Sequence, residues 1–342
     1  MADALLSPAV GATMWAGSMA TLGYSSKKLK ENIDNKTIPL MGVMGAFIFA
    51  AMMINFTIPG TGSSGHIAGG ILLTVMLGPY AAFLVLASVL MVQALFFADG
   101  GLLTLGCNIW NMGFYPCFLA YPLIYKPIAG DGTSANRIYI AAIVSAIIAL
   151  QLGAFSVVLE TLLSGRSELP FGTFVLLMQP IHLAIGLVEG IITAGIISYV
   201  KKVRPEIIQA DNTLRPLDAG ISLKNVLAAF VILAVVTSGV LSWFASTHPD
   251  GLEWSIQKVT GKRELAEQTN GIASLFKRVQ EKTAFLSDYN FKPSAKEESK
   301  AKEAPAWPGI EAGTSLAGIV GGAIVLMFIL LIGFGIRLFK KQ

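Results

Sequence analysis

Residues 37–98 carry no Asp, Glu, Lys or Arg. A soluble domain does not leave 62 consecutive residues uncharged, because about a quarter of its residues are charged and they cover every solvated face. Shorter charge-free stretches run over 4–26, 100–125, 138–159, 169–188, 225–249 and 312–336. A membrane-spanning helix needs about 20 mostly apolar residues, and each of these intervals is near or above that length. The whole chain is 54% hydrophobic and 13% charged. Its mean hydropathy of +0.65 belongs to a protein embedded in lipid. This composition excludes a disordered chain, an ordinary cytosolic enzyme and a nucleic-acid binder. Two cysteines exclude a disulfide scaffold. The first 26 residues have no basic start and no small-residue cleavage site, so no cleavable signal peptide is expected.

Gly and Pro punctuation at Ile58-Pro59-Gly60 and at Gly78-Pro79 divides the longest interval into three. The expected helices lie near 7–24, 39–57, 66–77, 79–97, 103–125, 138–160, 171–200, 223–243 and 315–337. The third is too short to cross a bilayer and reads as a half-helix lining a cavity, since irregular backbone at membrane depth survives only inside protein or beside water. The expected fold is therefore an all-α integral membrane protein. It comprises a seven-segment bundle over 1–200, a polar cytoplasmic linker over 201–222, and a two-helix unit over 223–342 whose helices flank an extracytoplasmic loop, 244–312.

Charge orients this bundle. Lys27, Lys28, Lys30 and Lys36 fall in loop 25–38; Lys126 and Arg137 in the loop around 126–137; Lys201, Lys202, Arg204, Arg215 and Lys224 in 201–224; Arg337, Lys340 and Lys341 at the end. The opposite short loops hold only Arg166. Positive charge stays on the cytoplasmic side, which puts the N-terminus outside and the C-terminus inside. The tail loop holds 10 Lys/Arg and 10 Asp/Glu and reads as solvated. Within it, Leu265, Ile272, Phe276 and Val279 fit one face of a short amphipathic helix. Lys292 to Pro308, rich in Lys, Glu, Ala and Pro, reads as weakly ordered. No internal repeat relates two halves, which argues against an inverted-repeat transporter.

The most unusual stretch is Gly60-Thr61-Gly62-Ser63-Ser64-Gly65-His66. Its glycines fit a dinucleotide fingerprint formally, but no acidic residue follows about 20 positions later and the flanks are membrane-like. No P-loop occurs either, so this chain is not expected to hydrolyse ATP. Gly62, Ser63, Ser64 and Gly65 form a small-residue loop that lets backbone approach an object closely. His66 supplies one neutral nitrogen donor on the outer side, and imidazole is the commonest metal ligand. His182 and Glu189 lie seven residues apart on nearly one helical face. An intramembrane carboxylate has two readings, a functional group or a packing hydrogen bond. Asp99 and Glu160 read as helix-end residues in solvated or capping roles. Cys107 and Cys117 read as small buried packing residues. Asn108 and Asn111 either hydrogen-bond the glycine loop or cap a helix. Ala12, Ala16 and Ala20 recur every four residues, which suits close helix approach, either at an internal seam or at a docking face for a partner subunit.

Together these stretches resemble a known family. Gly60–Gly70 (GTGSSGHIAGG), Leu77–Pro79 (LGP), Gln93–Gly101 (QALFFADGG), Leu105–Gly113 (LGCNIWNMG) and His182–Gly190 (HLAIGLVEG) are similar to the substrate-capture subunit of cobalt and nickel energy-coupling factor transporters. The tail, with His248–Trp254 (HPDGLEW), resembles their small accessory subunit fused in line. The resemblance implies a non-enzymatic subunit in the cytoplasmic (inner) membrane. It implies no prosthetic group, Ni2+ or Co2+ as cargo, and a transmembrane coupling subunit and cytoplasmic ATPases as partners. It also implies metal capture by nitrogens in a near-planar set: the N-terminal amine, the amide and imidazole of a second-position His, and the loop His. The loop ligand corresponds to His66. The sequence begins Met1-Ala2-Asp3-Ala4, whereas members commonly read Met-His just before such a segment, so two residues are expected ahead of Met1. As written, the Met1 amine and His66 remain as ligands. A reading from another class is a membrane scaffold whose tail loop binds an extracytoplasmic partner, with no substrate of its own. The fused tail leans toward nickel.

Overall fold

The computed structural model describes residues 1–33, 36–166, 169–204, 222–261, 271–291 and 307–340. A short N-terminal turn, Asp3–Leu5, leads into α1, Pro8–Asn32. Ser7 Oγ accepts from Val10 N–H and Pro8 fits the first turn, so the start of α1 is fixed by its own residues. α2 spans Thr37–Met52. A β-hairpin follows, β1 Phe56–Ile58 and β2 Ser63–Gly65, then α3 Gly70–Leu77 and α4 Pro79–Phe97. α5, Leu105–Ile109, runs on through π-helical turns over Trp110–Tyr125 into α6, Lys126–Ala129. Pro116 and Pro122 lie within those wide turns; a proline has no N–H to give, and the altered ladder carries the helix past both. α7, Ala135–Ser164, and α8, Phe171–Val203, pack along each other. The tail holds α9 Leu223–Gly239, α10 Gly251–Thr260, α11 Ile272–Thr283 and α12 Ala312–Lys340.

α2, α3 and α4 are the interior. Every residue of α3 is buried, and so is nearly all of α2. A helix that is apolar on all sides has to be surrounded, and α2 is surrounded by α4, α9 and α12. The two tail helices therefore pack into the body of the protein through α2. Four helices among the described residues are long and apolar enough to cross a membrane: Pro79–Phe97, Ala135–Ser164, Phe171–Val203 and Ala312–Phe339. Leu163, Leu176 and Leu331 are all exposed on these helices, as side chains facing lipid are.

The structure departs from the sequence reading at several places. α1 runs to Asn32, so Lys27, Lys28 and Lys30 lie on its last turns and not in a loop; Lys28 pairs with Glu31 at 3.0 Å, one turn away. The all-α expectation missed the hairpin, where β-branched Thr57 and Ile58 pair with Ser64 and Ser63. The half-helix begins at Gly70, because Gly69 at φ +73° interrupts the chain between His66 and α3. The tail loop is not simply solvated: its segments 245–261 and 271–291 hydrogen-bond to the body. In α11, Phe276 packs inward but Ile272 and Val279 are exposed, since Ala273 takes the buried position, with Ala284 buried just past the helix end. Leu265, most of Lys292–Pro308 and most of the linker 201–222 lie outside the described residues.

Candidate functional site

The Gly60–His66 stretch is the turn and second strand of the hairpin. Gly60 and Gly62 both sit at φ +79°, a left-handed conformation that a side chain disfavours. Thr61 Oγ1 closes the turn, donating to Ile58 carbonyl at 2.9 Å and accepting from Ser63 N–H at 3.1 Å. Ser63 and Ser64 are fully buried. A Cβ on Gly65 would sit 2.4 Å from Ile185 on α8, so only glycine lets the strand lie against that helix. The chain leaves β2 at half-buried His66 and reaches α3 four residues later.

The tail completes this hairpin. Ser64 N–H donates to Pro249 carbonyl at 2.8 Å, and Ser64 Oγ donates to His248 carbonyl at 2.8 Å. Ser246 N–H donates to Asn55 carbonyl at 2.7 Å. Asp250 caps α10, accepting from Leu252 and Glu253 N–H at 2.8 Å each. Gly251 lies against Ile181 and His182 of α8. The His-Pro-Asp-Gly run thus turns the chain, starts a helix and offers two carbonyls, those of His248 and Pro249, to Ser64.

The N-terminus reaches the same place from the other side. Met1 carbonyl accepts from Thr104 Oγ1 at 2.7 Å and from Gly101 N–H at 3.2 Å. Asp3 Oδ1 accepts from Thr104 N–H at 3.0 Å. Leu5 and Leu6 are buried, Leu5 among Val158, Phe174 and Ile256. A cavity of about 1020 Å³ is lined by Met1 to Leu5, His66, Asp99, and the tail residues His248 and Asp250, among others. Met1 and His66, distant in sequence, both line it. Asp99 accepts from the Tyr289 hydroxyl. Burial, with the Asp99 carboxylate beside it, pushes the Tyr289 phenol well above its usual range, so it stays a donor.

The other candidates are placed as follows. His182 Nδ1 lies 2.8 Å from Met178 carbonyl and donates to it. Glu189 is buried and accepts from Ala68 N–H at 2.7 Å. Asn108 lies beside Gly100. Asn111 Nδ2 donates at 2.9 Å to Glu160, and both are buried. Glu160 is therefore not in a solvated helix-end role; α7 continues past it to Ser164. Cys107 and Cys117 are buried and unpaired by disulfide. Ala12, Ala16 and Ala20 are exposed, so their face of α1 is no seam within this chain. Among the described residues no three His, Cys, Asp or Glu side chains gather as a metal cluster; His66 and His248 are the imidazoles among the residues lining the cavity. Sequence reading missed Thr104 and Asp3, which hold the N-terminus. It also missed the Ser64 contact with His248 and Pro249; no spacing signal links residues so far apart.

Comparison with known proteins gives two matches to family models. Residues 1–207 match the cobalt uptake substrate-specific transmembrane region, and residues 224–338 match the PDGLE domain. A protein of Archaeoglobus fulgidus, provisionally named as the fused nickel transport protein NikMN, is 33% identical over 327 residues, covering 95% of this chain and 94% of that one. The fused nickel transport protein NikMN of Rhodobacter capsulatus is 27% identical over 286 residues, covering 79% of this chain and 80% of its own. A crystal structure of a truncated transition metal transporter superposes with a TM-score of 0.53 at 30% identity, covering 59% of this chain and 98% of that chain.

Proposed function

Since the chain belongs to the cobalt uptake substrate-specific transmembrane family, with a PDGLE domain joined to it, we propose that it is the metal-capturing membrane subunit of an ATP-driven nickel or cobalt importer. The family is one of multi-pass membrane proteins that transport nickel or cobalt. The finer reading is that this subunit takes the metal at the outer face and passes it on with a transmembrane coupling subunit and cytoplasmic ATPases. The observation that carries it is the shared cavity: His66 and the N-terminal segment Met1 to Leu5, distant in the chain, both line it.

The proposed ligands are the His66 imidazole and nitrogens of the N-terminal segment. A set of nitrogens without carboxylates suits Ni(II) in a planar arrangement. Nickel is favoured over cobalt because the fused relatives that span both parts of the chain carry nickel transport in their names. The segregated basic residues support an outside N-terminus and a cytoplasmic C-terminus in the cytoplasmic membrane. The exposed alanine face of α1 suits close approach by a partner helix and is the proposed seat of the coupling subunit. The tail, hydrogen-bonded to Ser64, roofs the cavity and is proposed to act on transport more than on affinity.

Equilibrium dialysis of the purified chain against Ni(II) and Co(II) tests the reading. One bound metal per chain, with nickel held more tightly, is expected. No binding of either ion would leave a scaffold role as the better account.

A further inference from the structure

Glu189 is a carboxylate with 2% of its surface exposed, set within α8. A buried charge needs strong partners, and those of Glu189 are backbone groups. Ala68 N–H donates to its Oε2 at 2.7 Å, and the N–H groups of Gly69 and Gly70 lie near enough to favour the charge of the same carboxylate. These donors sit at the start of α3. The position before that helix is Gly69, which has no side chain to cap it. A carboxylate from another helix fills that role, at the end where the helix dipole favours negative charge.

The surrounding contacts show what this grip controls. Ile181, Ile185 and Glu189 are spaced by four residues and so share one face of α8. Ile181 meets Gly251 of the tail, Ile185 meets Gly65, and Glu189 holds Ala68 just ahead of α3. His66 therefore hangs between two attachments to α8, one just before it and one just after. α8 is itself fixed: a Cβ on Gly186 would lie 2.7 Å from Ile147 Cα, and one on Gly190 would lie 2.4 Å from Ile143 Cα. The helices meet backbone to backbone at those two turns, which locks the face of α8 that carries Glu189.

We propose that Glu189 is a positioning residue for metal capture, its carboxylate holding Ala68 just ahead of α3 so that the His66 imidazole is aimed into the cavity. This rests on the reading of His66 as a ligand. Glu189 lies off the cavity wall and acts through the loop. Residues that orient a metal ligand typically change affinity 10–100-fold when altered.

The test is Ni(II) titration of the full-length chain in detergent, read by calorimetry and by the visible absorption of the bound metal. In Glu189→Gln one acceptor oxygen is replaced by a donor that opposes the backbone N–H groups. About 10-fold or greater weakening and a displaced absorption band are expected. Glu189→Asp, which keeps the charge on a shorter arm, is expected to recover part of the affinity. A merely structural residue would lower the melting temperature and leave the affinity and band of the folded protein unchanged; that result overturns the inference. If Glu189→Gln does not fold, Glu189→Asp decides, and wild-type affinity and band in it also overturn the inference. His66→Ala runs in parallel. Wild-type affinity there removes the ligand reading and this inference with it. Loss in His66→Ala with none in Glu189→Gln removes this inference alone.

Discussion

The backbone N–H of Ser64 donates to the carbonyl of Pro249 at 2.8 Å. This bond joins the hairpin that carries His66 to the run Pro249 to Glu253 of the tail, 185 residues later. The two family-matched regions are therefore continuous at the cavity, and disturbing one is expected to be felt in the other.

Asp250→Ala removes the side chain that caps α10 at both Leu252 and Glu253. Loss of such a cap costs about 1 kcal/mol. The first turn of α10 should fray, and the His248 and Pro249 carbonyls just before it should slip from Ser64. Metal uptake in cells with the whole transporter is expected to fall, while Ni(II) affinity of the purified chain stays within about threefold. A large loss of affinity would instead place a ligand in the tail, with His248 the first to examine.

Gly65→Ala puts a methyl group where Ile185 already stands, 2.4 Å from its side chain. Overpacking of this kind costs about 1–3 kcal/mol, which thermal unfolding in detergent will read as a lowered midpoint. Ile185→Ala in the same chain frees the space and should restore part of the loss. Additive destabilisation in the double variant would contradict the packing argument.

Ala16 faces outward from α1 between Ala12 and Ala20. Ala16→Leu is expected to leave the fold within about 0.5 kcal/mol, as exposed substitutions usually do. It should reduce co-purification with the coupling subunit. Undiminished co-purification would move the docking face elsewhere.

Orientation follows from the same helix. Ala2 and Lys27 are both exposed, near opposite ends of α1. A membrane-impermeant thiol reagent added to intact cells should modify Ala2→Cys and spare Lys27→Cys; Cys107 and Cys117 are buried and give a low background. The reverse pattern would invert the topology.

Much of the architecture was legible because charge is excluded from lipid. The expected helices 79–97, 138–160, 171–200 and 315–337 match α4, α7, α8 and α12 to within about four residues, and Gly78-Pro79 separates α3 from α4 because Pro79 opens the second of them. The C-terminal end of α1 was not legible, since lysines end a hydrophobic interval without ending a helix. The hairpin was hidden for a different reason: three-residue strands carry almost no periodicity, and glycines at positive φ announce a turn without saying what flanks it. His66 stood out by its setting, one imidazole among small residues. Glu160 misled, because a charge near the end of an apolar stretch looks solvated until Asn111 is seen against it. What pairs Met1 with Thr104, or Ser64 with Pro249, is tertiary contact, and neither pairing leaves a trace in local sequence.

The central claim is that His66 is a metal ligand. Calorimetric titration of Ni(II) into the full-length chain and into His66→Ala tests it most directly, with circular dichroism to show that both are folded. The account predicts one site in the parent chain, weakened at least about 100-fold without the imidazole. It also predicts that affinity falls as the solution is made acidic, because nitrogen ligands must shed their protons to bind. Equal affinity in the two proteins would contradict it.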